Sequence, residues 1–242
     1  MSPRFDRLQA ERQTQNRPGG GGSVRRSAVT RSPEPVRPPL EGSRPGPLVL
    51  ASASPRRRQL LQEAGIAIRV DAADVDETAL PGETAAAHVR RLALAKADAV
   101  AGRHPQALVL GADTVVVLDG VIFGKPADLA HAQRMLAALS GRWHEVLTGV
   151  ALVCREPAQR QAWVCRTRVR FAALPAETIQ AYCTCANPLD KAGAYGIQEH
   201  GEMLVAEIAG LRSNVIGLPI EEVVAALRRL ERESGRTPTS LS

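Results

Sequence analysis

The stretch LVLASASPRRR, residues 48–58, joins a short apolar run to a polar turn and a basic segment. Its first four residues predict a buried strand. Ser54-Pro55 is typical of a helix start, because serine caps free backbone N–H groups and proline suits the first helical position. The helix is predicted to continue to Ala64, where Gly65 ends it. This stretch therefore predicts a strand, a tight turn and a helix in direct succession.

The chain on the C-terminal side of this stretch continues to alternate between the two kinds of element. Strands are predicted at 107–110, extended onward at 114–118, in a hairpin of 145–154 with 162–172, and at 203–208. Helices are predicted at 84–102, 128–139, 176–184 and 219–232, with a loop at 186–202. Asp119-Gly120 predicts a tight turn. The alternation predicts a mixed α/β fold.

The two ends of the chain differ in composition from the middle. Residues 1–46 are rich in Pro, Gly and Arg, so they bury too little apolar surface to offset the entropy of ordering. We expect a disordered basic extension at 1–46, a domain at 47–232 and a flexible tail at 233–242.

Charge and hydropathy disfavour nucleic-acid and membrane partners. The net charge is +6, but residues 1–46 hold nine basic and four acidic residues, and the other 196 hold 22 and 21. A near-neutral domain lacks the basic face of a nucleic-acid binder. No apolar run is long enough to span a bilayer, and no signal core is present. The four cysteines lack zinc-site spacing, which favours reduced thiols and a cytoplasmic location.

The first strand-to-helix turn suits an anion. A helix N-terminus presents free N–H groups and partial positive charge, yet Arg56 and Arg57 lie in this first turn and oppose the macrodipole. A phosphate bound there, with the hydroxyls of Ser52 and Ser54, would offset that cost. A solvated arginine run after an ordinary cap is the alternative.

Further charged residues lie at positions that an ordinary core does not explain. Lys96 shares a helix face with Leu92 and Val100, where a lysine either reaches out to solvent or serves an anion. Asp113 follows a buried run and could bind a divalent cation or activate water, with a loop-capping aspartate as the alternative. Lys125 adds a cation in Gly-Lys-Pro, and Glu77 adds a carboxylate.

Together these residues offer carboxylates for a metal ion and cations for phosphate oxygens. This combination suits phosphoryl or nucleotidyl chemistry. The chain has no G-x-x-x-x-G-K-[ST] motif, so it is not a P-loop enzyme. The motif DKAGAYGIQ, residues 190–198, has two glycines around a tyrosine, and its function cannot be read from composition.

Seven blocks, taken in order, resemble the Maf family of nucleoside triphosphate pyrophosphatases. They are LASASPRR at 50–57, VDET at 75–78, RLA at 91–93 with KA at 96–97, LGADTVV at 110–116, GKP at 124–126, LDKAGAYGIQ at 189–198 and SNVIGLP at 213–219. The resemblance covers about residues 47–230. It implies an ITPase-like α/β fold, with an elongated mixed sheet flanked by helices and a nucleotide cleft between two lobes.

The resemblance also implies a reaction and roles for individual residues. The reaction is hydrolysis of a nucleoside triphosphate between the α and β phosphates, with Mg²⁺ or Mn²⁺, and DKAGAYGIQ is similar to the dTTP/UTP branch. Asp113 would activate water, and with Glu77 it would hold the metal. The triphosphate would be held by Ser52, Ser54, Arg57, Lys96 and Lys125. Base choice would be set by Arg56, Thr114 and Gln198.

Two departures from the family pattern leave alternatives open. Glu199 stands where glycine is usual after the glutamine, and Leu211-Arg212 replaces Asp-Tyr before SNV. An extra carboxylate beside Gln198 could repel phosphate or alter base preference. One alternative is the same reaction on 7-methyl-GTP or a modified uridine triphosphate. Another is a non-catalytic regulator of septum formation. A homodimer is an open expectation.

Overall fold

Seven strands form one mixed sheet in residues 47–234, the part of the chain that this computed structural model describes. The strands are β1 (Leu48–Leu50), β2 (Ile68–Val70), β3 (Val109–Leu118), β4 (Val121–Phe123), β5 (Trp143–Cys154), β6 (Gln159–Phe171) and β7 (Val205–Ala209). Their order is β2-β1-β3-β5-β6-β7, with β4 paired to β3. β1 is parallel to β2 and β3, and the other pairs are antiparallel.

Helices cover both faces of this sheet, which confirms the α/β fold class. They are α1 (Pro55–Glu63), α2 (Ala85–Ala101), α3 (Leu129–Leu139), α4 (Ala176–Cys185), α5 (Arg212–Ile216) and α6 (Ile220–Ser234). Leu48 and Leu50 pack with α1 and α6, whereas Val49 packs with α2. Successive β1 side chains thus enter opposite cores, as strand geometry requires. Within residues 47–234 no helix is long and apolar enough to cross a membrane.

The elements predicted from the sequence are present, and the very short ones were missed. Helix α1 begins as predicted, since Ser54 accepts a hydrogen bond from the N–H of Arg57 and Pro55 takes the first position. The predicted β-hairpin is β5 with β6. β2, β4 and α5 have three to five residues each, too few for a periodic pattern. The predicted extension 1–46, and most of the tail 233–242, lie outside the described residues.

The prediction of a strand that ends before Gly111 is wrong. β3 runs unbroken through Gly111, Ala112 and Asp113, and β5 pairs with it along almost its whole length. On its other side β3 pairs with β1 at residues 109–110 and with β4 at residues 116–118. The edge between these two pairings is open. The ligand space therefore arises because the neighbouring strands stop, not because β3 does.

Two glycines let α2 lie directly on the sheet. A Cβ on Gly111 would stand 2.2 Å from the carbonyl oxygen of Ala93, and a Cβ on Gly149 would stand 2.1 Å from that of Val89. Neither distance is sterically possible, so only glycine permits this approach. The contact at Gly111 brings Lys96 of α2 to Asp113 of β3.

A buried histidine gives a prediction for acid stability. His144 Nε2 lies 2.8 Å from the Tyr195 hydroxyl, and its ring packs edge-on to Phe171. Burial lowers the pKa of His144 to about 4. Because this folded-state pKa lies below the unfolded value of about 6.5, the stabilisation is complete above pH 6.5. It is lost as the pH falls towards 4, by ~3 kcal/mol for a shift of this size.

We therefore expect His144→Gln to lose less unfolding free energy than wild type between pH 7 and pH 4.5, measured by urea unfolding. His200→Gln is the control, because the His200 side chain is 53% exposed. Equal acid slopes for wild type and His144→Gln would contradict this assignment.

Candidate active site

The open edge of β3 forms one wall of a cleft of about 620 Å³. The other walls come from the turn after β1, the loop that follows β2, one face of α2 and the 190–199 segment. All ten residues singled out from the sequence line this cleft: Ser52, Ser54, Arg56, Arg57, Glu77, Lys96, Asp113, Thr114, Lys125 and Gln198. Residues far apart in the chain thus meet in one place.

Arg57 is buried and almost fully committed to protein contacts. Its Nε donates to the Gly217 carbonyl at 2.8 Å, and its Nη1 donates to the Ala112 carbonyl at 2.9 Å. The same Nη1 donates to Ser52 Oγ, and Nη2 donates to Thr114 Oγ1, each at 3.0 Å. Ala112 lies on the open edge of β3, so the guanidinium replaces a missing strand partner. Burial lowers the pKa of Arg57, although the nearby carboxylates of Asp113 and Glu77 oppose this.

This geometry differs from the phosphate-facing arginine that the sequence predicts. Four of the five N–H groups of the guanidinium already have acceptors in the protein. The carbonyl of Gly217, which Arg57 holds, belongs to a residue with φ of 127°, and this backbone conformation favours glycine. Arg57 thus fastens the SNVIGLP block to the first turn of α1. Its role on the triphosphate stays a prediction.

Lys96 joins the two carboxylates that the sequence assigns to the metal. Its Nζ lies 2.7 Å from Asp113 Oδ1 and 2.6 Å from Glu77 Oε1. Partial burial of Glu77 acts to raise its pKa, but the hydrogen bond and charge of Lys96, with Lys125 and Arg57 nearby, outweigh it and leave the pKa lowered. Lys96 and Asp113 are themselves buried. In this structure one ammonium therefore bridges the two carboxylates.

The loop that carries Glu77 is held by Arg91 of α2. Arg91 Nη2 donates to the Thr78 carbonyl at 3.0 Å, and Arg91 also forms two hydrogen bonds with the Glu83 carboxylate. The two hydrogen bonds from Arg91, with those from Leu80 N–H and His88, lower the pKa of Glu83 to about 2. The RLA block therefore acts at a distance: it fixes the segment that presents Glu77 to Lys96.

Lys125 is the exposed cation of the cleft. Among the described residues it has no hydrogen bond or ion pair, so its ammonium is available to an anion. Its loop is anchored next to it, because the carbonyl of Gly124 accepts a hydrogen bond from Gly193 N–H at 3.0 Å. The GKP and DKAGAYGIQ blocks are thus joined in space.

The three residues assigned to base choice differ in how firmly they are held. The Thr114 hydroxyl contacts Thr148 Oγ1 at 3.0 Å and the Gly217 carbonyl at 3.3 Å. Arg56 Nη1 pairs with Asp190 Oδ2 at 3.0 Å. Gln198 is exposed, and its amide forms no hydrogen bond with any described residue. Only Gln198 of the three has all its polar groups free for a ligand.

Sequence reasoning missed Lys191, which is 3% exposed beside the cleft. Its Nζ lies 2.7 Å from Asp190 Oδ1 and 2.7 Å from Glu199 Oε2. A lysine among small apolar residues, flanked by acidic residues on both sides of the motif, was the available signal. Tyr195 of the same motif is a core residue, because its ring packs on His144 and Phe171.

The profile of the Maf-like protein family matches residues 47–230. The chain belongs to the Maf family. The matched region is more than half of the chain, and it contains all ten predicted residues of the cleft.

Relatives with close sequence similarity are known from several bacteria. A dTTP/UTP pyrophosphatase of Myxococcus xanthus is 54% identical over 182 residues, which cover 75% of this chain and 91% of that protein. One of Symbiobacterium thermophilum is 53% identical over 180 residues, covering 74% and 92%. One of Geotalea uraniireducens is 52% identical over 183 residues, covering 76% and 94%. The similarity thus extends over nearly the whole of each of these three proteins.

Proposed function

We propose that this Maf protein hydrolyses dTTP and UTP to the nucleoside monophosphate and diphosphate. The observation that carries the proposal is the meeting of Asp113, Lys96 and Glu77 in a cleft that also holds the free ammonium of Lys125. A base and phosphate-binding cations are the parts that this reaction requires. The names of the three relatives supply the substrate class.

In the proposed mechanism Asp113 takes a proton from the attacking water. Its Oδ1 is held by Lys96, whereas its Oδ2 accepts no hydrogen bond from any described residue, and Asp113 lines the cleft. Lys125 and the N-terminus of α1 bind phosphate oxygens, and Lys96 can reach them from the carboxylate pair. Electrostatic stabilisation of the charge that develops on the phosphates would supply much of the rate.

We propose that Glu77 and Asp113 hold a divalent cation, Mg²⁺ or Mn²⁺. Two carboxylates, with substrate phosphates and water, make a donor set that suits Mg²⁺. The cation would polarise phosphoryl oxygens. No group of three or more His, Cys, Asp or Glu side chains within residues 47–234 is arranged to hold a metal. In this proposal the remaining ligands of the cation would come from the nucleotide and water.

The position of Lys96 predicts weak metal binding by the free protein. Its ammonium lies between the two carboxylates, and a unit charge about 4 Å away is worth ~4 kcal/mol at an effective dielectric constant of about 20. Lys96→Met should therefore raise Mn²⁺ affinity about tenfold or more, measured by electron paramagnetic resonance without nucleotide. Lys125→Met, which removes an unpaired cation, should have a smaller effect. Equal Mn²⁺ affinity of wild type and Lys96→Met would contradict this prediction.

The proposed reaction is tested by pyrophosphate release from a nucleotide panel with Mg²⁺ or Mn²⁺. We expect dTTP and UTP to be hydrolysed at their α–β bond with the highest kcat/KM. Higher kcat/KM for 7-methyl-GTP would favour the alternative substrate class. No turnover of any nucleotide would refute the enzymatic function and favour a regulatory one.

Gln198 gives a prediction for base choice. Uracil and thymine present an N3–H donor beside an O4 acceptor, and a carboxamide presents the complementary pair. Gln198→Glu leaves acceptors only, which suit the adjacent donors of guanine. We expect the mutant to lose dTTP activity and the dTTP-to-GTP ratio of kcat/KM to fall about 5- to 150-fold, the value of one bidentate pair. An unchanged ratio would show that Gln198 does not contact the base edge.

We also propose that the protein works in the cytoplasm. Cys154, Cys165, Cys183 and Cys185 are all free thiols, as expected in a reducing compartment.

A further inference from the structure

The segment that carries Gln198 is bounded by four charged side chains that contact one another in a closed ring. Arg56 Nη1 lies 3.0 Å from Asp190 Oδ2 and 3.7 Å from Glu199 Oε1. Lys191 Nζ lies 2.7 Å from the other oxygen of each carboxylate. We call Arg56, Asp190, Lys191 and Glu199 the charge ring. It contains two cations and two anions, so its net charge is zero.

Lys191 is the buried member on which the ring depends. A buried ammonium is costly unless all its N–H groups have acceptors. The third acceptor of Lys191 is the carbonyl of Asn187, at 2.5 Å. Partial burial of Asp190 acts to raise its pKa, but the hydrogen bonds from Lys191 and Arg56 outweigh it and leave the pKa lowered. Loss of one carboxylate would leave the buried cation short of a partner.

The stem of Lys191 also shapes the turn before Gln198. A Cβ on Gly196 would stand 2.7 Å from Lys191 Cε, so the stem lies directly against the glycine backbone. On the other side the N–H of Gly196 donates to the Tyr182 hydroxyl at 2.9 Å. The carbonyl of Gly196 then accepts from Glu199 N–H at 3.2 Å and closes a turn that contains Gln198. Lys191 and Glu199 therefore hold this turn from both ends.

The Gln198 amide itself lacks such support. It has no hydrogen bond with a described residue, so it can flip, and a flipped amide pairs with cytosine as well as with uracil. A preference for dTTP over CTP must then come from groups that fix the position of the turn relative to the base. Arg56 lies across the ring from Lys191 and contacts both carboxylates.

We propose that Lys191 and Glu199 are positioning residues for base selection, which act by fixing Arg56 and the turn that presents Gln198. This proposal rests on the proposed function. The proposal also explains Glu199, which departs from the family pattern. The Glu199 carboxylate pairs with Lys191 and Arg56, so it adds no unpaired negative charge to the cleft.

The test compares Glu199→Gln, Lys191→Met and the double variant with wild type. We expect wild type to prefer dTTP to CTP, and each single change to lower the dTTP-to-CTP ratio of kcat/KM about fivefold or more, mainly through KM. The dTTP-to-CTP ratio of the double variant should be no lower than that of the more impaired single variant, because both residues act through the charge ring. Binding of the α,β-imido analogues of dTTP and CTP should show the same loss of preference.

Arg170 and Glu207 supply the matched control. They form an exposed ion pair of 3.2 Å between β6 and β7, so Arg170→Met and Glu207→Gln should leave the ratio unchanged. If the ring variants lower the melting temperature and leave the ratio unchanged, the ring is only structural and the proposal is wrong. Equal use of dTTP and CTP by wild type would overturn it as well.

Misfolding of a variant and failure of the proposed function can each be told apart from these results. If Lys191→Met does not fold, Glu199→Gln decides the question, because the Glu199 side chain is 38% exposed and a glutamine carbonyl oxygen can still accept a hydrogen bond from Lys191. If wild type neither hydrolyses nor binds these nucleotides, the proposed function itself fails, together with the role assigned to the ring.

Discussion

Asp113→Asn should lower turnover of dTTP by about 10²-fold or more and leave the fold intact. Asparagine has nearly the same shape, and its Oδ1 can still accept the hydrogen bond that Lys96 donates to Asp113 at 2.7 Å. The amide cannot take a proton from water, and it removes one anionic metal ligand. Steady-state kinetics with saturating Mg²⁺ and circular dichroism measure the two effects.

Asp119→Asn is the matched control for this change. Asp119 has the same chemistry but lies in the turn after β3, with φ of 50° and an ion pair to Arg142. Asparagine tolerates this left-handed conformation. The control should keep its turnover. Turnover of Asp113→Asn within a few-fold of wild type would remove Asp113 from the role of base.

Arg57→Ala should destabilise the protein by ~3–5 kcal/mol, because several buried neutral acceptors lose their donor at a cost of about 1–3 kcal/mol each. The carbonyl of Ala112 would lose its side-chain donor, and that of Gly217 would keep only the longer contact with Thr114. The open edge of β3 would lose its substitute partner. Thermal unfolding should show a fall in Tm of roughly 10 °C. Arg57→Lys should recover little of this lost stability, because one ammonium cannot reproduce the four hydrogen bonds of the planar guanidinium.

Arg58→Ala tests whether this effect is specific to the buried guanidinium. Arg58 is the next residue of α1 and is exposed, so its loss should change Tm by a degree or two at most. Equal melting temperatures for Arg57→Ala and wild type would show that the guanidinium contributes nothing to stability. Activity loss at an unchanged Tm would restore Arg57 to a purely phosphate-binding role.

Much of the fold could be predicted because its signals are local. Ser54-Pro55 begins α1 by capping chemistry, and Asp119-Gly120 turns the chain between β3 and β4 through positive φ angles. The strand β3 was divided wrongly, because Gly111 resembles a strand end. Gly111 is required for a steric reason, because only a residue without a Cβ lets α2 pack against β3. This requirement cannot be recognised until the position of α2 is known.

The site could be predicted as a set of residues but not as an arrangement. Lys96 and Asp113 were identified by charge in apolar surroundings and Glu77 as a further carboxylate. The structure places both carboxylates within hydrogen-bond distance of Lys96 Nζ. Lys191 escaped notice, because its small apolar neighbours along the chain are only a weak signal that its ammonium is buried. Its three acceptors come together only when the 187–199 segment folds back on itself.

The sequence by itself determined the order of helices and strands, the caps that begin them and the kinds of charged group available to a phosphate. These depend on residues a few positions apart. Only the tertiary structure decided which cations are free. Arg57 is bound to the carbonyl of Gly217, 160 residues away, whereas Lys125 has no partner among the described residues. The difference arises because burial removes water, and a buried cation must then take its hydrogen bonds from whatever distant segments the fold brings to it.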